Sequence, residues 1–354
     1  MTTPPEPTGG PPPYSTGGPP PYSTGGPPPR LPEGPALLEI RHAVRRWTAA
    51  HPSGDGVAVA LSGGADSLAL TAAAVAEAGP VHALVVDHRL QEGSDEVARR
   101  AADRALAFGC ASARVLPVRV DGPGGLEAAA RSARYAALDA ARAGRPVLLG
   151  HTLDDQAETV LLGLARGSGP RSIAGMRDRD GPWGRPLLRV RRAVTERACG
   201  ELGLQPYRDP HNLSPAFTRV RLRTEALPLL EQILGGGVAQ ALARTADQVR
   251  EDGDVLDAVA TDLRRAATTG DELDTEVLAA APPAVRRRAL REWLQVRGVS
   301  GLTDTQLRTA DDLVGRWRGQ GGVALGGGRR DARLVLSRRR GRLSVGFVTS
   351  QSGG

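Results

Sequence analysis

Val57-Ala-Val-Ala-Leu61 runs directly into Ser62-Gly63-Gly64-Ala65-Asp66-Ser67, and an Ala-rich helical stretch follows through Ala78. A short apolar run bounded by turn residues reads as a buried strand. The two glycines let the backbone take positive φ and let a ligand approach without a Cβ in the way. Successive N–H groups at a helix N-terminus then form an anion-binding concavity. Ser62 and Ser67 add hydroxyl donors, and Asp66 is placed to hold Mg²⁺ against phosphate oxygens. The plainer alternative is a tight turn with Asp66 as an ordinary N-cap. The loop lies at the carboxyl end of the first strand, where open α/β sheets bind ligands, and this favours a nucleotide.

The pattern around this loop alternates. An amphipathic stretch at Ala36–Ala50 precedes the first strand; the apolar runs Val81–Val86, Val115–Val120 and Val147–Leu149 follow, with helical stretches at Asp95–Phe108 and Leu126–Ala143 between them. Such alternation implies βαβ units, hence an α/β, doubly wound, Rossmann-like parallel sheet with helices on both faces. After about Thr224 helical periodicity takes over, with short strand candidates only at Ala332–Ser337 and Leu343–Val348. The expected organisation is a Pro/Gly-rich disordered tail over 1–35, a nucleotide-binding domain over 36–225, and a smaller, mostly helical domain over 226–354. Residues 1–36 hold 14 Pro and 7 Gly, with the octad Gly-Gly-Pro-Pro-Pro-Tyr-Ser-Thr at Gly9–Thr16 repeated at Gly17–Thr24. Too little there is apolar to offset the entropy of ordering.

The chain has 354 residues and a net charge of +7, and all 46 of its basic residues are Arg. Without Lys there is no phosphate loop of the Gly-Lys-Ser/Thr kind and no Schiff-base chemistry. Cys110 and Cys199 form no closely spaced pair for a zinc knuckle or cluster. No basic start with an apolar run marks a secretory signal, and no charge-free apolar run reaches the ~18–20 residues a membrane helix needs. A soluble cytoplasmic protein with no membrane partner is the expectation; monomer and homodimer both stay open. Charge divides the second half sharply. Residues 224–285 hold 4 Arg against 12 acids, and residues 286–354 hold 15 Arg against 5 acids. Opposite helix faces docking together explain this as readily as a polyanion-binding face does. The second reading puts Arg286, Arg287 and Arg288, together with the Arg-rich residues 185–223, against a nucleic acid.

Two further clusters carry chemistry. Gly150-His151-Thr152-Leu153-Asp154-Asp155-Gln156-Ala157-Glu158-Thr159 follows a later strand. In a helix starting near Leu153, Asp154 and Glu158 share a face, with Asp155 beside Glu158. Thr152 with Asp155 also reads as a capping box. Three carboxylates and a His at the sheet crevice exceed what capping needs, so metal binding, amine recognition or general-base work are open to them. Arg131 and Arg134, three apart on one helix, suit a phosphate through their planar donors.

The Ser62–Ser67 loop resembles that of the N-type ATP pyrophosphatases (the PP-loop superfamily), which cleave ATP between its α- and β-phosphates. Several further stretches narrow the resemblance to the bacterial tRNA(Ile)-lysidine synthetases. These are His151–Thr159 continuing to Gly169, Val85-Val86-Asp87-His88-Arg89-Leu90, Arg185-Pro186-Leu187-Leu188, Asp209-Pro210-His211-Asn212, and Arg219–Arg223 followed by Leu227-Pro228-Leu229-Leu230. It is dense over residues 55–230. Beyond them it rests on Leu290–Leu294 and Trp317–Gln320. The family often has Arg-Asn-Arg where this chain has Arg219-Val220-Arg221.

The resemblance implies an ATP-dependent carbon–nitrogen ligase. It would adenylate the wobble cytidine of a tRNA(Ile) with a CAU anticodon, release pyrophosphate, and let the amine of free L-lysine displace AMP to form lysidine. By the same resemblance Ser62, Gly63, Gly64, Ala65, Asp66 and Ser67 bind ATP, Asp66 takes the Mg²⁺, Arg131 and His151 meet phosphates, and Asp155 and Glu158 face the lysine. A tRNA thiolase or a small-molecule amide ligase of the same superfamily is the alternative.

Overall fold

The computed structural model describes residues 32–121, 125–167, 169–209, 214–329 and 332–349. All but the last four residues of the expected 1–35 tail lie outside these, as do Pro210, His211 and Asn212 of the quoted motif. In chain order the elements are α1 (Pro35–Ala50), β1 (Val57–Ala60), α2 (Ala65–Glu77), β2 (Val81–Asp87), α3 (Ser94–Phe108), β3 (Ser112–Pro117), α4 (Leu126–Ala141), β4 (Val147–Leu148), α5 (Leu153–Arg166), α6 (Pro170–Ile173), β5 (Arg179–Asp180), β6 (Trp183–Gly184) and α7 (Arg192–Glu201). There follow α8 (Thr218–Arg221), a π-helical turn (Leu222–Ala226), α9 (Leu227–Ile233), α10 (Val238–Ala267), β7 (Thr268–Thr269), β8 (Glu272–Asp274), α11 (Thr275–Ala279), α12 (Pro283–Val296), α13 (Asp304–Gly315), β9 (Val323–Arg329), β10 (Ala332–Arg339) and β11 (Arg342–Thr349). No single helix among the described residues is long and apolar enough to cross a membrane.

The chain divides into two compact units. One runs to Asp155 and resumes over Arg177–Glu225; the other comprises Gln156–Met176 and the residues from Ala226 onward. The first unit is built on a six-stranded sheet ordered β3-β2-β1-β4-β6-β5, parallel except for the β5–β6 pairing. The chain moves outward from β1 to β3 and then crosses to β4, so the topological switch lies between β1 and β4. Strand β1 is buried on both faces, which accounts for its unbroken apolar run. On one face Leu37, Ile40 and Val44 of α1, Leu68 and Leu70 of α2, Ala105 of α3 and Ala198 of α7 form a single core. Leu138 of α4 packs on the other face with Ala58, Leu84 and Val147. Helix α1 has no side-chain cap of its own. Instead Glu201, at the end of α7, accepts the Ala36 and Leu37 N–H groups at 2.9 Å each, tying α1 to α7.

The second unit joins helices to a five-stranded antiparallel sheet ordered β7-β8-β11-β10-β9. Its core centres on Trp293 of α12, completely buried among Leu290, Leu294, Leu313, Leu336 and Leu343. The two short strands expected near the C-terminus are β10 and β11, each longer than the sequence pattern suggested. Strand β9 was not expected at all.

Arginines 286–288 are a correction to the sequence reading, because they hold helices together instead of facing a polyanion. Arg286 is buried on α12 and donates through Nε and, at 3.2 Å, through Nη2 to the Asp311 carboxylate of α13, while Nη1 reaches the Ala281 carbonyl at 3.2 Å. Arg287 lies 3.7 Å from the same carboxylate. Arg288 binds Asp257 of α10 at 2.6 Å, and Arg264 of α10 binds Glu292 of α12 at 3.0 Å. The opposed charge of the two stretches is, for these residues, helix-to-helix docking.

Candidate active site

Gly63 takes φ +82°, open to glycine at little cost, and its carbonyl accepts the Tyr207 N–H at 2.9 Å. The N-cap of α2 is Gly64, and no side chain caps the helix. Asp66 therefore stands inside the first turn and is not the N-cap that the plainer reading required. Ser67 Oγ donates to the Gly64 carbonyl at 3.0 Å and lies 3.1 Å from Ser62 Oγ, so the hydroxyls stiffen the loop from within. The Gly64 N–H reaches Ser62 Oγ at 3.4 Å and the Ser62 N–H reaches Ser67 Oγ at 3.2 Å, while no N-cap side chain closes the helix start that follows, which leaves it open to an anion.

The β4 loop comes close to this turn. A Cβ on Gly150 would meet the Asp66 carbonyl carbon at 3.1 Å and the Ser67 nitrogen at 3.2 Å. The glycine thus permits the ends of β1 and β4 to converge. Asp155, at the start of α5, is buried. Its carboxylate accepts the Thr152 N–H and hydroxyl at 2.8 Å each, and the reciprocal Asp155 N–H to Thr152 Oγ distance is 3.4 Å. The capping box is real, and it does not exhaust Asp155: Arg192 Nη2 reaches it at 2.7 Å and Arg223 Nη2 at 3.5 Å. Burial alone would raise the Asp155 carboxyl, but the Arg192 charge and the Thr152 donors outweigh it and hold the group below its ordinary range.

Arg192, at the first position of α7, also places Nε 3.4 Å from Asp66 Oδ2, so one guanidinium spans the two carboxylates. Thr195 Oγ1 donates to Asp66 Oδ1. Burial nonetheless leaves the Asp66 carboxyl raised, against the pull of Arg192 and Thr195. Asp154 is used differently. It accepts the Arg192 N–H at 2.7 Å and the Arg191 side chain at 3.0 Å, capping α7.

His151 is pushed down to about 4, first by burial and then by the charges of Arg185, Arg134 and Arg131, with Asp155 opposing; it is neutral at pH 7. Its Nδ1 is buried without a partner, and so are His88 Nδ1 at the end of β2 and Arg134 Nε on α4. Burial lowers His88 too, reinforced by Arg134. Buried polar atoms are almost always paired, so several orphans near one charged helix mark a place where a ligand would supply the bonds. Arg131 is more exposed and lies over the Tyr135 ring, 4.9 Å from its centroid. Arg89, just past β2, has φ +52°, an uncommon conformation for a non-glycine residue, and its N–H donates to the buried Asp87 at 3.0 Å. A cavity of about 340 Å³ opens there, lined by Asp87, Arg89, Gln91, Gly93, Ser94 and Asp95. Glu158, one turn along α5 from Asp155, is completely buried.

A PP-loop domain family matches residues 39–230, and the TilS substrate binding domain family matches residues 273–344. The tRNA(Ile)-lysidine synthase of Rhodococcus jostii is 70% identical over 317 residues, covering 90% of this chain and 98% of its own length. That of Nocardia farcinica is 68% identical over 308 residues, covering 86% and 97%. That of Mycobacterium tuberculosis is 58% identical over 311 residues, covering 86% and 96%.

The chain belongs to the tRNA(Ile)-lysidine synthase family.

Of the tRNA(Ile)-lysidine synthase stretches quoted from the sequence, the loop, the β4 end and Arg219–Arg223 supply residues to one cluster in the first unit: Asp66, Asp155 and Arg223. Val220, where the family often has Asn, is buried, so an apolar contact stands in place of an amide. Leu290–Leu294 forms core, and in Trp317–Gln320 the Gln320 side chain accepts the Arg318 N–H at 2.6 Å to close a turn. Sequence reasoning missed Arg192 and Thr195 as site residues and gave Gly150 no role of its own. The partners of Arg192 lie 126 and 37 residues away, beyond any local spacing rule.

Proposed function

We infer that this protein joins L-lysine to C2 of the wobble cytidine of tRNA(Ile), using ATP and releasing AMP and pyrophosphate. Family membership supplies the reaction, and one observation carries it to this chain: the uncapped N-terminus of α2 opens beside two carboxylates bridged by one arginine, the buried Asp155 and the half-buried Asp66, at the sheet switch point. In the first step the cytidine O2 attacks the α-phosphorus, forming an O–P bond as the bond to pyrophosphate breaks. The uncapped N–H groups at the start of α2 would meet the growing phosphate charge, and their fixed positions avoid reorganisation. Arg131 adds a cation. His151, being neutral, meets phosphate as a hydrogen-bonding group only.

Mg²⁺ fits at Asp66. The ion usually takes one or two carboxylates, with substrate phosphates and water completing its shell. Asp66 offers one carboxylate, 26% exposed, with Oδ2 held by Arg192 only at 3.4 Å. When bound there, Mg²⁺ would neutralise phosphate charge.

In the second step a lysine amine attacks C2 and AMP departs. The amine must lose its proton before attack, and a carboxylate nearby can bind the cation and accept that proton. Asp155 and Glu158 are assigned this side of the site. The test is direct. The purified chain is incubated with labelled lysine, ATP and total bacterial tRNA, which is then digested and searched for lysidine. Lysidine with AMP and pyrophosphate is the expected result. ADP and phosphate, or thiolated tRNA, would refute it.

A further inference from the structure

Asp155 has no open side for an ammonium group. Oδ2 accepts two bonds from Thr152 at 2.8 Å, and Oδ1 accepts Arg192 at 2.7 Å with Arg223 at 3.5 Å. A carboxylate has about four lone-pair sites. A cationic amine therefore reaches Asp155 only in exchange for one of the arginines. Arg192, the nearer of the two, also ties to the phosphate loop, its Nε reaching Asp66 at 3.4 Å. Its backbone is fixed separately, the N–H donating to Asp154 at 2.7 Å at the first position of α7. The side chain can swing while α7 stays in place.

We propose that Arg192 is a positioning residue that occupies the amine's place at Asp155 until a nucleoside triphosphate reaches the Ser62–Ser67 loop, whereupon it transfers to the phosphates and opens Asp155 to lysine. This rests on the reading of the site as one for ATP and lysine. A triphosphate carries several charges against the single charge of a carboxylate, and a guanidinium binds phosphate oxygens in pairs. The departing guanidinium leaves Asp155 buried with less counter-charge, and the ammonium of lysine restores it. Nucleotide and lysine binding are thereby linked, and such linkage is reciprocal. The order of assembly follows: nucleotide first, amine second. A chain that admitted lysine first would hold the nucleophile before there was an activated base to attack.

Lysine is titrated calorimetrically into the full-length protein, with and without Mg²⁺ and α,β-methylene-ATP. In the wild type the analogue should tighten lysine binding by about fivefold or more, the lower end of ordinary coupling. In Arg192→Ala, lysine should bind the nucleotide-free protein more tightly than it binds nucleotide-free wild type, with less than about a twofold further gain from the analogue. Arg192→Gln replaces it if the alanine variant does not fold. Arg192→Lys keeps the charge but cannot span two carboxylates, and should show intermediate coupling. Undiminished coupling in the alanine or glutamine variant overturns the proposal. So does weaker nucleotide-free lysine binding, since Arg192 would then be holding Asp155 ready for lysine. A wild-type chain that makes no lysidine fails the functional reading. One that makes lysidine but binds lysine and nucleotide independently fails this proposal alone.

Discussion

Arg192 in the first unit and Arg286 in the second both bind a carboxylate that folding has taken out of water. Arg286 donates from all three of its nitrogens, two to Asp311 and one to a carbonyl, and a Cβ on Gly315 of α13 would sit 2.6 Å from its Nη2. The backbone is cut to fit it. Arg192 shares one guanidinium between two acids, one of them at 3.4 Å, and burial leaves Asp66 raised in spite of it. Orphaned polar atoms occur in both units, on His88, Arg134 and His151 in the first and on Gln240, Arg250 and Trp293 in the second, so the contrast lies in the two ion pairs themselves. Replete bonding of a buried pair is the mark of structure, and incomplete bonding is the mark of a site awaiting a ligand. In sequence the two arginines are indistinguishable, since each sits in a short run of basic residues.

Five substitutions would sharpen this contrast or break it. Asp66→Ala should lower tRNA-dependent pyrophosphate release by about 10²-fold or more, the scale of losing one electrostatic element of an active site. Its far-ultraviolet circular dichroism should stay that of the parent. Pyrophosphate release within about threefold of wild type would remove Asp66 from the reaction.

Asp311→Ala should do the reverse. It leaves the Arg286 charge buried and unpaired, a loss of about 3–5 kcal/mol measurable by denaturant unfolding. At temperatures where the variant stays folded, nucleotide affinity should be unchanged. A loss under about 1 kcal/mol would mean that water reaches Arg286 and that the pair is a surface one.

Asp155→Asn and Glu158→Gln should raise the lysine KM or slow aminolysis by about tenfold, within the range of general acid–base contributions, with adenylation less affected. Adenylated tRNA should accumulate. Wild-type lysine kinetics in both variants would reduce Asp155 to its capping box with Thr152.

The smallest effect concerns pH. The folded His151 titrates near 4 and an ordinary histidine near 6.5, so between these values the unfolded chain binds the extra proton. Stability from this group is complete above about 6.5 and is lost as pH falls toward 4. His151→Asn should therefore flatten the fall in melting temperature between those values. An unchanged slope would assign the acid sensitivity to other groups.

How much of this was legible in the sequence depended on distance along the chain. The strand, loop and helix around Ser62–Ser67 were readable because glycine geometry and apolar period are local properties. The capping box of Thr152 and Asp155 was readable for the same reason. Strand β9 was hidden because Gly326, Gly327 and Gly328 carry no side chains to alternate, and β4 has only two paired residues with which to announce itself. The bridge from Asp66 through Arg192 to Asp155 joins residues far apart in the chain, and no window on the sequence contains it. The run Arg286–Arg288 misled for a related reason. Charge can be counted from a sequence, but burial decides whether a charge meets solvent, a ligand or another helix.

Gly150 has a consequence of its own. Because its missing side chain sets how closely the β4 loop may lie against the first turn of α2, it fixes the gap between the loop proposed to hold phosphate and the helix start proposed to meet the amine. A methyl group there would meet backbone atoms at 3.1 and 3.2 Å, which have no rotamer by which to yield. The two strand ends would have to part by a few tenths of an ångström. Each half could still grasp its own substrate, yet the attacking amine and the activated base would be held slightly out of range of one another. The spacing of the two strand ends is thus written into a single hydrogen atom.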